Sequence, residues 1–336
     1  MWLMRDGKGA QMDRTYRVPD NREEFLADVA EMYYVRGMTQ AEIAKRVGVS
    51  RPTVSHMLSA ARELGIIEIR INRPFQTDAS LEAALMSQFS LRDASVVVAG
   101  TQDYPQLVRG TGMAAARLLK GLLAPGLVFS LAWGMSISAT VDALDADRPV
   151  PLKVVQMAGT VGARNREYDG AMLVQRAAQK LGGEAYYLNA PFLVDTAEMA
   201  EALRSHVTNL ETMRLIQQCD IALVGIGTTN LTEFSSFYLS GHVSVAEMEE
   251  LRASGAVGEI CGHHFDIEGK ACNPTFSDRT VGIRRDDLTR IPTRVGVACG
   301  AHKMTAILGA LRAGYVNLLV TDSRVAEGVL RLAQAG

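Results

Sequence analysis

Residues 38 to 71 read MTQAEIAKRVGVSRPTVSHMLSAARELGIIEIRI, two short helical patterns parted by one glycine. Thr39 and Glu42 form a capping box at a helix start, and Ile43, Ala44 and Val47 give that helix an apolar stripe until Gly48 breaks it. Ser50 is a good N-cap for the next helix and Pro52 is tolerated in its first turn. Val54, Met57, Leu58, Ala61 and Leu64 then recur at helical spacing until Gly65. Upstream, Phe25, Leu26, Val29, Met32 and Tyr33 mark a supporting amphipathic helix that starts at Asn21 and stops at Gly37. Two short helices joined by Gly48-Val49-Ser50 behind a third make a helix-turn-helix, whose last helix can enter the major groove of DNA. Ile67, Ile69 and Ile71 alternate with Glu68 and Arg70, so Ile66 to Ile71 is expected to form a strand, a wing.

If Val54, Met57, Leu58 and Ala61 face inward, then Arg51, Thr53, Ser55, His56, Ser59 and Arg62 face outward. Arginine can pair bidentately with guanine, and hydroxyls can bind phosphates or base edges. The charge pattern agrees: between Arg36 and Arg73 stand seven basic residues against three acidic ones, in a chain whose net charge is −2. A local basic surface on a slightly acidic chain is the footprint of one module that meets a polyanion.

Past Arg73-Pro74 the pattern changes, placing a boundary between Asn72 and Asp78. Apolar, β-branched runs at Ser95 to Ala99, Leu127 to Leu131, Leu152 to Met157, Ala185 to Leu188, Ile221 to Ile226, Arg294 to Ala298 and Val316 to Thr321 read as strands. Helical patterns at Leu107 to Leu123, Ala171 to Leu181 and Lys303 to Ala313 lie between several of them. Alternation of this kind specifies an α/β domain on a mainly parallel sheet, with ligands expected beyond the carboxyl ends of the strands. Three Gly- or Thr-rich loops fall there: Leu131 to Ser136, Gln156 to Gly162 and Val224 to Thr229. The first leads into a helix, so backbone N–H groups and the Ser136 hydroxyl can receive an anion such as phosphate. The last is a poor dinucleotide fingerprint, because Asn230 stands where G-x-G-x-x-G needs glycine.

With 336 residues, 48% hydrophobic and 21% charged, the chain is neither disordered nor fibrous. The uncharged stretch between Lys120 and Asp142 is interrupted by Pro125-Gly126, Trp133-Gly134 and four Ser or Thr residues, so it reads as a buried strand with turns, not a membrane span. The charged segment from Met1 to Asp20 has no apolar core of a leader, and a cytoplasmic protein is expected. Cys219, Cys261, Cys272 and Cys299 stand far apart and read as reduced thiols. Cys261, His263, His264 and Cys272 invite a metal only on composition; they lack paired ligand spacing, so no metal and no cofactor is expected.

The run from Met38 to Ile71, with Tyr33-Tyr34 upstream, resembles the winged helix-turn-helix of the SorC family of bacterial sugar-responsive transcriptional regulators. The resemblance extends over the rest of the chain through Ala132-Trp133-Gly134, residues 220–227 (DIALVGIG), 255–269 (GAVGEICGHHFDIEG), 290–292 (RIP) and 297–322 (VACGAHKMTAILGALRAGYVNLLVTD). It implies a flexible tail (1–20), a winged helix-turn-helix (21–73) and a larger Rossmann-like α/β sugar-binding and oligomerisation domain (74–336) similar to phosphosugar isomerases and glucosamine-6-phosphate deaminases. It also implies Gln40, Arg51, Thr53, Ser55, His56 and Arg62 at the DNA, and Gly134, Ser136, Gly159, Thr160, Asp169, Gly227, Glu259 and Lys303 around the effector. Glu259 would take sugar hydroxyls and Lys303 a phosphate. The chain differs from the common family pattern at Ala132, Ser136 and Ala158.

The expected function is an operon regulator that binds double-stranded operator DNA as a homodimer or homotetramer, under control of a sugar, sugar phosphate or polyol, with no membrane partner. The alternative is a sugar-phosphate isomerase or deaminase carrying a DNA-binding module. Its acid and base would come from His242, His263, His264 or Asp266, none of which stands in a recognisable catalytic motif. A purely DNA-architectural protein would leave more than 250 residues without a purpose.

Overall fold

The computed structural model describes residues 21–67, 75–101, 103–146, 148–161, 167–229 and 243–335. The N-terminal tail, the expected wing from Glu68 onward, Asn230 and His242 lie outside the described residues. The chain divides into two compact units, one up to Pro74 and one from Phe75.

In the first unit, helix α1 spans Arg22–Tyr34, α2 Gln40–Val47 and α3 Arg51–Glu63. The caps carry out the local chemistry expected of them. Thr39 and Glu42 bond reciprocally at the start of α2, and Gly48 ends it at φ 74°, a conformation that costs glycine little. Ser50 accepts the Thr53 N–H at the start of α3. Phe25, Val29, Ile43, Val54, Leu58 and Ala61 meet in one core. Leu64 departs from the expected inner stripe and is 54% exposed. The helix ends at Glu63 and Gly65 turns the chain at φ 71°, so the periodicity no longer aims Leu64 inward.

All seven expected strands of the second unit exist and form one parallel sheet: β1 Asp93–Val97, β2 Val128–Leu131, β3 Lys153–Gln156, β4 Glu184–Tyr186, β5 Ile221–Gly225, β9 Thr293–Val297 and β10 Leu318–Asp322. Their order is β1-β10-β9-β5-β2-β3-β4. Successive residues alternate between the two packed faces: Ala222 and Val224 join one core, Ile221 and Leu223 the other. A sheet buried on both faces needs near-continuous apolar strands, which is why these runs were readable. From β2 the chain proceeds outward to β3 and β4, whereas from β5 it proceeds the opposite way to β9 and β10. The gap between the carboxyl ends of β2 and β5 is therefore a topological switch point, where loops diverge and leave a crevice.

A second sheet was not expected from the sequence. Strands β6 (Gly227–Thr228), β7 (Gly258–Ile260) and β8 (His263–Phe265) run antiparallel, and β7 and β8 are joined by the two residues Cys261 and Gly262 at φ 52° and 83°. Positive φ at both central residues is what a tight hairpin demands. Glu259 is thus carried on a paired strand. Among the described residues no helix is long and apolar enough to cross a membrane. The uncharged stretch resolves instead into β2 and the helix Met135–Ala143.

Candidate functional site

The crevice at the switch point is a pocket built from segments distant in sequence. Residues 132–137 line it from the end of β2, Gly225 to Gly227 from the end of β5, Glu259 and Cys261 from β7 and its turn, and Lys303 from the short 3-10 helix Ala301–Lys303. Gly134 opens the helix Met135–Ala143 at φ 124° and ψ 171°, a region essentially closed to residues with a Cβ. Among the described residues no side chain caps that helix, whose first residues line the pocket, and N–H groups left without helix partners together with the helix dipole favour an anion there. Ser136 is buried at the same end.

Lys303 lines the same pocket, 9% exposed, with its Nζ donating to the Ile226 carbonyl at 2.8 Å. Burial holds its ammonium below the ordinary lysine range, against the neighbouring Cys299 and Glu259. Glu259 is 8% exposed and accepts the Gly262 N–H at 3.1 Å. Burial pushes its carboxyl up to about 7, against the pull of that N–H and of Lys303. Gly227 is the cross-strand partner of Glu259, and a Cβ there would collide with the Glu259 carboxylate. A glycine is needed so that the acid can lie over the strand. The arrangement pairs donors for an anion with a carboxyl group whose oxygens suit vicinal hydroxyls.

Gly134, Ser136, Gly227, Glu259 and Lys303 are thus brought together. The other three expected effector residues do not line this pocket. Asp169 caps the helix Gly170–Leu181, accepting the Ala171 and Val161 N–H groups, each at 3.0 Å. Thr160 is tied by backbone bonds to Ala190 and Phe192, and Gly159 passes so close to the Pro191 carbonyl that a Cβ would not fit. Tyr104, at the start of the helix Tyr104–Lys120, does line the pocket; its ring packs edge-on to His302 at 5.3 Å and over Gly300. No glycine or anion motif marks it in the sequence.

The described candidates for acid–base catalysis lie away from the lining. His263 is hydrogen-bonded to the Ile283 carbonyl at 2.9 Å, His264 packs edge-on to Phe276, and Asp266 accepts the Glu268 and Lys270 N–H groups in a turn. All four cysteines are buried and free, and the described residues hold no group of three or more His, Cys, Asp or Glu side chains that suits a metal.

On the DNA-binding unit, Arg51, Ser55, His56 and Arg62 are exposed along α3. Gln40, which opens α2, and Thr53 are half-buried. The Thr53 hydroxyl lies 2.7 Å from that of Ser50, so it belongs to the helix cap as well as to the outer face.

Comparison with known proteins agrees with both halves. Residues 73–331 match the Sugar-bind model of sugar-binding domains, and residues 24–77 match a Crp-like helix-turn-helix domain. The chain is 29% identical over 313 residues to the sorbitol operon regulator of Klebsiella pneumoniae, covering 91% of this chain and 97% of that one. It is 27% identical over 311 residues to the deoxyribonucleoside regulator of Bacillus subtilis (92% and 98%) and 32% identical over 311 residues to the transcriptional regulator LsrR of Escherichia coli K12 (92% and 95%). The crystal structure of the full-length sorbitol operon regulator SorC from Klebsiella pneumoniae superimposes with a TM-score of 0.70 at 28% identity, over 92% of this chain and 99% of that one. These relatives are regulators of transcription, not enzymes. The chain belongs to the SorC family of DNA-binding transcriptional regulators, in which a helix-turn-helix is joined to a sugar-binding domain.

Proposed function

We propose that the chain regulates a carbohydrate-catabolism operon in the cytoplasm, binding double-stranded operator DNA through residues 21–73 and a phosphorylated sugar through residues 74–336. The observation that carries this reading is the convergence, at the sheet's switch point, of an uncapped helix N-terminus, buried Lys303 and buried Glu259. A phosphate would accept from the N–H groups at residues 135–137, from Ser136 and from Lys303, and its charge would restore the protonated state that burial opposes in Lys303. Glu259 would accept from sugar hydroxyls, with Gly227 leaving room for it. Gly159, Thr160 and Asp169 would act at one remove, by fixing the loop after β3.

On DNA, Arg51 and Arg62 supply bidentate donors, Ser55 and His56 reach base edges, and Gln40 and Thr53 stand where the helix pair meets the backbone. One small module binds weakly, so a homodimer or homotetramer would place two or more on repeated half-sites and gain affinity through effective concentration. Control requires that the sugar phosphate bind the DNA-competent and incompetent states with different free energies.

Thermal unfolding across a panel of hexose, pentose, deoxypentose and hexitol phosphates, their free sugars and polyols, and inorganic phosphate tests this, since a ligand of the folded state raises the midpoint by mass action. A rise confined to phosphorylated sugars is expected. A rise with free sugars alone would refute the anion site at Ser136 and Lys303.

A further inference from the structure

The chain that leaves the DNA-binding unit does not enter the second unit as a free strand. Phe75 packs into the sheet's core, and Thr77 bridges Val97 in antiparallel fashion. The Val98 N–H donates to the Gln76 carbonyl at 2.8 Å, and the Asp78 N–H to the Val96 carbonyl at 2.9 Å. The linker is thereby added to the carboxyl end of β1.

That end of β1 is fastened to the start of the last helix, Ser323–Ala335. The Ala99 N–H donates to the Ser323 hydroxyl at 3.1 Å, and the Arg324 guanidinium donates to the Gly100 carbonyl. One residue earlier, the buried Asp322 carboxylate accepts the Gly300 N–H at 2.7 Å and the Val325 N–H at 3.1 Å. Gly300 in turn accepts the Lys303 N–H at 3.0 Å and carries the Tyr104 ring against it. Three consecutive residues, 322–324, therefore hold the loop that presents Lys303 and the strand end that receives the linker. The linker pairing is a single bridge with two hydrogen bonds, an element small enough for local opening to be followed by amide exchange.

We propose that Asp322, Ser323 and Arg324 form the coupling node of the regulator: a sugar phosphate that fixes the Lys303 loop stabilises, through this node, the pairing of Gln76 to Asp78 with Val96 to Val98. The proposal rests on the pocket being the effector site. Ser323 and Arg324 are positioning residues, which touch neither ligand. Ser323 is half-buried and Arg324 exposed, so both can be replaced without emptying the core, whereas Asp322 is fully buried.

The test uses full-length wild type, Ser323→Ala, Arg324→Ala and the hydroxyl-retaining Ser323→Thr. Each is titrated calorimetrically with the sugar phosphate that gives the largest thermal shift in the panel above, and amide exchange is followed at Asp78 and Val98 with and without it. Wild type and Ser323→Thr should show exchange slowed roughly five-fold or more on binding, the lower end of ordinary coupling. Ser323→Ala and Arg324→Ala should bind within about three-fold of wild type yet lose most of that slowing. Binding retained with the slowing intact in both alanine variants overturns this proposal alone. A wild type that binds no sugar phosphate of the panel overturns the effector reading and this proposal with it.

Discussion

Gly227→Ala isolates the contact on which the sugar end of the pocket depends. Gly227 does not lie at positive φ, so alanine suits its backbone, and the effect is steric. The new Cβ would collide with the Glu259 carboxylate and lie 3.0 Å from its Cγ. The β6–β7 ladder fixes the two residues opposite each other, so the acid must swing away and release the Gly262 N–H. Losing a hydrogen bond to a charged group costs about 1.5–3 kcal/mol, and overpacking adds about 1–3 kcal/mol where relaxation is partial. A destabilisation of roughly 2.5–6 kcal/mol follows, with effector affinity lowered at least about ten-fold. In a Glu259→Ala background the obstacle is gone, and Gly227→Ala should cost less than about 0.5 kcal/mol. Urea unfolding of the four proteins gives a coupling energy of at least about 2 kcal/mol if this is right. Additive effects, with coupling below about 0.5 kcal/mol, would refute the reasoning.

Arg51→Ala should weaken binding to the operator by about 1–3 kcal/mol while leaving effector binding intact; an equal loss on every duplex in an anisotropy titration would make Arg51 a phosphate contact. Lys303→Met removes a buried charge at similar volume, so stability should stay within about 1.5 kcal/mol of wild type while the thermal shift with sugar phosphates disappears. Acid lability follows from the buried histidines. Burial depresses His263 and takes His264 to about 3 from an ordinary 6.5, so the unfolded chain binds their protons first and stability is lost as pH falls below about 6.5. Glu259, raised from 4.5 to about 7, works the other way between those values and offsets part of that loss. His264→Gln should flatten that slope in urea midpoints, and an unchanged slope would count against it.

How much was readable from residues alone follows from what each element needs. Strands buried on both faces need unbroken apolar runs and the central ones were visible as such, whereas the edge strand Glu184–Tyr186, partly exposed and without a β-branched residue, was marked only by Ala185 to Leu188. The caps at Thr39 and Ser50 were visible because the hydrogen bonds are local. The small antiparallel sheet was hidden: strands of two or three residues containing Glu259, His263 and His264 have no apolar alternation, and Cys261-Gly262 is not a common hairpin turn. Leu64 was misplaced because periodicity does not say where a helix stops. Ser136, Glu259 and Lys303 meet because of topology, and the family resemblance rather than spacing named Glu259 and Lys303. Tyr104 escaped notice for the complementary reason, reaching the pocket by fold without carrying a motif. The glycine-rich loop after β3 looked like its neighbours in sequence, yet Gly159 and Thr160 serve a close backbone crossing.

The central claim is that one pocket, occupied by a phosphorylated sugar, sets affinity for DNA. Fluorescence anisotropy of a labelled duplex from upstream of the regulated operon, titrated with full-length protein with and without the sugar phosphate that most raises the unfolding midpoint, tests it directly. Operator affinity should change roughly five-fold or more in wild type, and not at all in Lys303→Met. An operator affinity indifferent to the ligand in wild type, or an equal response in Lys303→Met, would contradict it.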